Sequence, residues 1–495
     1  MTGFANDARQ SAIDEFLGAP LRQKYQKLHD AKTAEAVREY LGDSAYDDLT
    51  ALIAGRVGAG TLNVNIAPNI VFVPGVMGSL LSSRRGGMWW IDARARNQLN
   101  ELRLAPDGVS DLKPEYGIRA FEVDIMYMPF LAAMDERDDF NFESFAYDWR
   151  KPLSASADRL RDLVNRLYSE NNDDPVHIVA HSMGGLMLRT ALMMHPDLWE
   201  KIDRIVFVAT PHYGSGAIAG YLKNHLWGFE LLSLLGIFLD RATFRSMWGV
   251  LSLLPAPRGV YPGTRDGGSA QWTGGDGDDY VHPCVNFDLY AAEEWKLGLD
   301  ATKTHQLQNA LDAVRRFHEQ LHASHEALMQ AQRGRMAVIA GVGYETLFRL
   351  AYEKRFWGAW EKAEKTTSRK WGDPHRDGDG RVPVASAALE NVGDTRYCVG
   401  VHAELPNIPI VYRDVFRWLK GEAMELPDTP SSALAGHLGG TASPAGTALT
   451  RLTTVDTAKG DPGYWKPADD PKQLATLQQK LQADSLPEFN RVRLL

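Results

Sequence analysis

The residues best suited to chemistry lie in Val176-His177-Ile178-Val179-Ala180-His181-Ser182-Met183-Gly184-Gly185-Leu186, where an apolar, β-rich run meets a serine and passes straight into a helical pattern. This is the sequence form of a nucleophile elbow, in which the serine sits on a strained strand-to-helix turn with its hydroxyl above the end of a sheet. Side chains would clash beside such a turn, and the small residues Ala180 and Gly184 flank it. The N–H groups that open the following helix favour negative charge developing next to Ser182, so attack on an acyl carbonyl is the chemistry implied. Ala180 stands where the motif usually has its first glycine, and the surrounding segments carry the specificity. Asn69-Ile70-Val71-Phe72-Val73 reads as a strand leading into Pro74-Gly75-Val76-Met77-Gly78-Ser79, a loop suited to a second oxyanion donor. Downstream, Arg376-Asp377-Gly378-Asp379-Gly380-Arg381-Val382-Pro383 offers an acid among turn residues, and Tyr397-Cys398-Val399-Gly400-Val401-His402 ends a strand on a histidine. The chain order Ser, Asp, His is complete.

Holding these groups together requires a scaffold. Strand patterns recur at Ile70–Val73, Phe142–Tyr147, Val176–Ala180, Arg204–Thr210, Met336–Gly341 and Arg396–Val401, with helical patterns such as Ala157–Tyr168 between most of them. That alternation predicts a mostly parallel sheet with helices on both faces. Residues 1–64 read as a helical extension, with Ile13, Phe16 and Leu17, then Ala34, Val37 and Leu41, at helix spacing. The α/β core is expected over 65–212 and 336–424. Residues 213–335 are more chain than a crossover between two strands needs and read as a cap over the site. Residues 425–495 read as a linker, rich in Ser, Ala, Gly, Thr and Pro from Pro427 to Gly446, and a tail whose Lys472–Ala483 has helical character.

Within the expected cap, the run from Leu226 to Leu239 is densely apolar, interrupted by Glu230 and ended by Asp240. It is too short to span a bilayer. It suits a helix lining an acyl-chain tunnel or lying at an interface, and equally a buried cap helix with no ligand role. Trp227, Phe229 and Leu231 are its substrate-binding candidates, joined by Trp89 and Trp90 after the Gly86-Gly87 pair. His318, His322 and His325 share one helix face, but their charged neighbours favour a solvated helix over a metal site, so no metal is expected. His181 beside the nucleophile is expected to point away from Ser182 and to pack.

Four segments together resemble the lecithin:cholesterol acyltransferase and lysosomal phospholipase A family. They are Val73-Pro74-Gly75-Val76-Met77-Gly78-Ser79, Tyr147-Asp148-Trp149-Arg150, Ala180-His181-Ser182-Met183-Gly184 and Asp377-Gly378-Asp379-Gly380-Arg381-Val382, with a looser fifth in His402-Ala403-Glu404-Leu405-Pro406-Asn407. The resemblance implies an α/β-hydrolase fold with a large inserted cap or lid, and the chain order Ser, Asp, His is the one those enzymes use. It further implies Ser182 as nucleophile, Asp379 as acid, His402 as base, and oxyanion N–H groups from Val76 and Met183. The activity implied is hydrolysis of an acyl ester or transfer of its acyl group; the apolar run of the expected cap makes a lipid ester the leading substrate, with peripheral membrane contact and no cofactor expected.

The departures from that family are informative. Its secreted and lysosomal members carry disulfides, whereas this chain has only Cys284 and Cys398, and Met1 to Gln10 contain Asp7 and Arg9 without an apolar run. A cytoplasmic setting is therefore expected. With 495 residues, 44% of them hydrophobic, and a net charge of −9, the chain can bury a large core, and its acidic balance argues against nucleic acid as a partner. Two other readings stay open: an esterase, lactonase or amidase for a soluble small molecule, and a catalytically silent scaffold that keeps the fold.

Overall fold

A computed structural model describes residues 11–54, 67–90, 99–223, 240–264, 282–354, 360–362 and 375–439, apart from isolated positions within those ranges. Six strands form the central sheet: β1 (Asn69–Val73), β2 (Asn141–Ser144), β3 (Val176–His181), β4 (Ile202–Val208), β5 (Met336–Val342) and β6 (Asp394–Val399). They lie in the order β6-β5-β4-β3-β1-β2, and every neighbouring pair is parallel. These are the six segments expected as strands, with their ends moved by a few residues. Central strands buried on both faces are mostly apolar, which is why they read as near-continuous Val/Ile/Ala runs.

One face of the sheet, with Val71, Ile178, Ile205 and Val338, is covered by helices α1 (Ser154–Glu170), α2 (Met183–Met194) and α3 (Ala301–Glu326). The other, with Ile70, Phe72, Val179 and Ile339, is covered by Met128–Asp135 and by α4 (Pro409–Leu419). Every residue of α2 from Met183 to Leu192 is buried, so it is a core helix with no solvent face. Chain order reverses about β1, which pairs with β2 on one side and β3 on the other. In open parallel sheets, ligands bind beyond the carboxyl ends of the strands at such a reversal.

The segment expected as a cap behaves differently over much of its length. Helix α3 lies beside α2, where Arg189 donates to the Leu321 carbonyl at 3.2 Å. Parallel neighbours such as β4 and β5 can be joined only by a crossover, and α3 supplies it. The solvated reading of its histidines is likewise corrected. His318 and His325 are buried, and His325 Nε2 donates to the Glu390 carbonyl at 2.8 Å, while the charged residues occupy the remaining faces. Among the described residues no cluster of His, Cys, Asp or Glu is placed to hold a metal ion. No helix of the described residues is long and apolar enough to cross a membrane. Both cysteines are buried and neither forms a disulfide.

Two peripheral units brace the core. A small antiparallel sheet joins Ser79–Ser82 to Met88–Trp90 and Arg119–Val123. Upon it pack Phe16, Val37 and Leu41 of the N-terminal segment, against Leu80 and Phe121. Lys24 is buried there, 3.0 Å from Glu122 and donating to the Phe121 carbonyl. At the other end, the stretch expected as a linker begins instead with a helix, Pro430–Gly439. It buries Ala433, and the turn before it is tied to β6 by a bond from Tyr397 N to the Pro427 carbonyl. Of the residues that suggested a linker, Pro430, Ser431 and Ser432 open this helix, and those beyond Gly439 lie outside the described residues.

Burial pushes the imidazoles of His282, His318 and His325 down to about 4, and those of His181 and His212 well below the usual histidine range. The unfolded chain takes up protons near the ordinary value of 6.5 while the fold does not. Stability is therefore complete above that pH and is lost as pH falls from there toward 4. Thermal unfolding between pH 7.5 and 5 should show a steep drop in midpoint that His318→Gln makes shallower. A midpoint equally flat in both proteins would contradict the buried neutral histidines.

Candidate active site

Ser182 joins β3 to α2 with φ 52° and ψ −127°, a region that costs a non-glycine residue about 1–3 kcal/mol. The turn is held on both sides: Ser182 N donates to the Val208 carbonyl and Gly185 N to the Ser182 carbonyl, each at 3.0 Å. A Cβ on Gly184 would stand 2.2 Å from the Val73 carbonyl oxygen, so the first turn of α2 is pressed against the end of β1. Met77 and Ala209, just beyond β1 and β4, also have positive φ, at 62° and 51°. Strained backbone thus gathers at the carboxyl ends of three adjacent strands.

Beyond β1 the chain turns through Gly75 to Gly78, closed by a bond from Gly78 N to the Gly75 carbonyl at 3.1 Å. A Cβ on Gly75 would fall 2.9 Å from that of Ser182, which sets this loop directly against the nucleophile candidate. The Tyr-Asp-Trp-Arg tetrad braces both ends of the loop. Tyr147 Oη donates to the Pro74 carbonyl at 3.1 Å, Trp149 Nε1 to the Ser79 carbonyl at 3.2 Å, and Ser79 Oγ accepts from Tyr147 N at 3.1 Å. Arg150, fully buried, anchors the tetrad through Asp148 at 2.9 and 2.6 Å, Asp111 at 3.0 Å and the Leu102 carbonyl at 2.8 Å.

Asp379 follows the strand His375–Gly378, which pairs with Tyr344–Leu347 just after β5. Its carboxylate is fully buried: Oδ1 accepts from the N–H groups of Arg381 and Val382 at 2.9 and 2.7 Å, and Oδ2 lies 2.8 Å from His402 Nδ1. His402 N also donates to the Asp379 carbonyl at 2.9 Å. The ring's other nitrogen, Nε2, is 2.9 Å from Ser182 Oγ. With Nδ1–H directed at the carboxylate, Nε2 is free to accept the serine proton. Asp377, the other acid of the loop, is exposed and accepts from Gly343 N at 2.7 Å, away from His402.

Ser182 and His402 open onto a cleft. Val76, Met77, Met126, Ile218, Leu253 and Val401 make its wall mainly apolar, and Arg381 brings a charge to it. Val76 and Met183 stand on either side of Ser182, one in the loop after β1 and the other at the first position of α2. Trp89 and Trp90 lie in the strand Met88–Trp90, with Trp90 opposite Leu81. Trp227, Phe229 and Leu231, with the whole apolar run around them, are outside the described residues.

Tyr127 escaped the sequence reading, and His181 and Asn407 do more at the site than that reading assigned them. Tyr127 hydrogen-bonds to both Gly75 N and His181, at 2.9 and 2.8 Å. His181 does point away from Ser182, yet it does more than pack, because its Nε2 lies 3.1 Å from the His402 carbonyl. Asn407 donates to the Met126 carbonyl at 2.9 Å and accepts from Phe130 N, tying the turn after His402 to the Tyr127 segment. Tyr127 sits in no motif, so no sequence signal could have found it. The Asn407 position was visible only as part of the looser fifth segment.

Residues 127–261 match the family model for lecithin:cholesterol acyltransferase. An uncharacterised Saccharomyces cerevisiae protein, YJR098C, is 28% identical over 154 residues, 29% of this chain and 23% of that protein. Lecithin-cholesterol acyltransferase-like 4 of Arabidopsis thaliana is 27% identical over 85 residues, 17% of this chain and 15% of that one. The chain thus spans under a quarter of the length of either relative. Among solved structures, a Bacillus licheniformis lipase aligns with a TM-score of 0.35 at 14% identity, over 73% of this chain and 94% of the lipase.

Replacing Arg150 with methionine would leave Asp148 and Asp111 buried without their cation, a loss of about 3–5 kcal/mol. Urea unfolding of Arg150→Met should show it as a lower midpoint. A change within about 0.5 kcal/mol would mean that the tetrad is not the anchor described.

Proposed function

We propose that this chain, whose residues 127–261 match the lecithin:cholesterol acyltransferase family model, is a serine hydrolase or acyltransferase acting on lipid esters. The observation that supports this reading most is the run Ser182 Oγ to His402 Nε2 to Asp379 at 2.9 and 2.8 Å, opening on an apolar cleft. In the proposed cycle Ser182 Oγ attacks the ester carbonyl carbon while His402 Nε2 takes its proton. The carbonyl oxygen becomes an oxyanion facing the N–H groups of Val76 and Met183. Asp379, its Oδ1 fixed by two backbone N–H donors, stabilises the imidazolium. As the tetrahedral carbon collapses, the alcohol leaves with the proton from His402, and the acyl group stays on Ser182. Water or a second alcohol then attacks the acyl carbon, giving its proton to His402, and Ser182 is released with that proton. The strained turn and the apolar wall keep bulk water from competing with these fixed donors.

Ser182→Ala should abolish both ester turnover and labelling by a fluorophosphonate, since it removes the nucleophile and adds no bulk. Activity near wild type would overturn the assignment, and a wild type that neither labels nor turns over any ester would favour a silent scaffold. Asp379→Asn should cost orders of magnitude more in kcat than Asp377→Asn, because only Asp379 meets the imidazole. Equal effects would displace Asp379 from the role of acid.

The cleft wall sets a further expectation. Each methylene that finds apolar cover is worth about 0.8 kcal/mol, roughly a fourfold gain in kcat/KM. Along a series of p-nitrophenyl esters, kcat/KM should climb with chain length until the cleft is filled, and Met126→Gln should flatten the climb while leaving the acetyl ester nearly unchanged. A profile that peaks at acetyl and gains nothing when substrate is presented in vesicles would favour a soluble-ester enzyme.

A further inference from the structure

Both ring nitrogens of His181 are engaged, and the pattern of donors and acceptors around it has one solution. The His402 carbonyl can only accept, so His181 Nε2, 3.1 Å away, carries the hydrogen. A neutral ring then has a bare Nδ1, and the Tyr127 hydroxyl, 2.8 Å away, must donate to it. The Tyr127 oxygen in turn accepts from Gly75 N at 2.9 Å. Hydrogen bonds therefore run in one direction from the loop after β1, through two buried side chains, to the backbone of the histidine that faces Ser182. Burial keeps His181 neutral, which maintains that direction. The segment carrying Tyr127 is itself fastened to the turn after His402 by Asn407.

We infer that Tyr127 and His181 are positioning residues that set the distance between the oxyanion loop and the base. The inference rests on the proposed Ser182 mechanism and adds a second hold on His402. Asp379 orients its ring, while His181 fixes its backbone relative to Gly75. This excludes His181 as an alternative base, since neither nitrogen is available to Ser182. Displacement of a reacting group by about 1 Å can cost 100-fold in rate, so loosening either link weakens the transition state more than substrate binding.

The test uses the full chain, a short soluble ester and a fluorophosphonate probe. Wild type and Ser182→Ala are compared first: a wild type that fails to label, or a Ser182→Ala protein that turns over, defeats the mechanism itself before any positioning variant is read. Given labelling, Tyr127→Phe and His181→Asn should lower kcat and the labelling rate together by about 10- to 100-fold, with KM within about twofold. His181→Gln, whose amide nitrogen reaches the place of Nε2 and can donate to the His402 carbonyl, should recover much of that loss where His181→Asn does not. Rates are taken per folded molecule, from thermal unfolding run in parallel. Unchanged kcat in the folded fraction, a change in KM alone, or a glutamine variant no better than asparagine would overturn the inference.

Discussion

The rest of the site depends on a single packing constraint, the contact between the first turn of α2 and the end of β1. Gly184 lies so close to the Val73 carbonyl that no side chain fits between them. The helix therefore starts at once after β3, and Ser182 has to take positive φ to make the change of direction. A serine would not adopt that conformation on its own account. It persists because the sheet hydrogen bond to Val208 and the helix bond from Gly185 both survive only in that geometry. The same contact brings the loop after β1 alongside the serine, and so the nucleophile candidate and its proposed oxyanion donors are placed by one act of packing.

Around that contact the structure repeats one device, in which a buried polar side chain is bound to the backbone of a loop. Asp379 accepts from two N–H groups of its own turn, Tyr147 and Trp149 donate to carbonyls at either end of the loop after β1, and His181 donates to the carbonyl of His402. Loops lack the internal ladders that hold strands and helices, so side chains must satisfy their backbone groups. Each such bond also transfers the rigidity of the sheet to a segment that has none. Arg150 carries the same logic further: a buried cation between two carboxylates is a poor source of net stability, yet it ties the Asp111 turn to the tetrad with little freedom to rearrange.

Much of the fold was legible because central parallel strands announce themselves. Six apolar runs separated by helical patterns leave few other arrangements. The three residues around Ser182 Oγ were legible too, since elbow, acidic turn and terminal histidine each have a local signature. What the sequence concealed was long-range or peripheral. Ala301–Glu326 was counted with the cap because 213–335 is more chain than a crossover needs, although Leu307, Leu311, Val314 and Leu321 give this helix a buried stripe. The strand Met88–Trp90 was missed because its pairing partner, Ser79–Ser82, reads as the continuation of a loop. Tyr127 was invisible for a deeper reason. Its partners Gly75 and His181 are 52 and 54 residues away, and nothing in its own neighbourhood marks a tyrosine whose hydroxyl must both accept and donate.

This distribution follows from where each kind of information is stored. A catalytic side chain is constrained by its immediate backbone, because a strained turn or a capped carboxylate needs particular neighbours in sequence. A positioning side chain is constrained by distances between loops, and those distances exist only after the sheet has assembled. The β1–β3 pairing aligns Val73 with Ala180, and only then do the loop beyond Val73 and the elbow beyond Ala180 face each other. Tyr127 enters from the small sheet's side and meets His181 across that alignment. Its hydroxyl, buried between a backbone donor and an imidazole acceptor, would be costly to leave without either partner. The geometry that makes Tyr127 unreadable in sequence is therefore what makes it sensitive to the spacing of the two loops it joins.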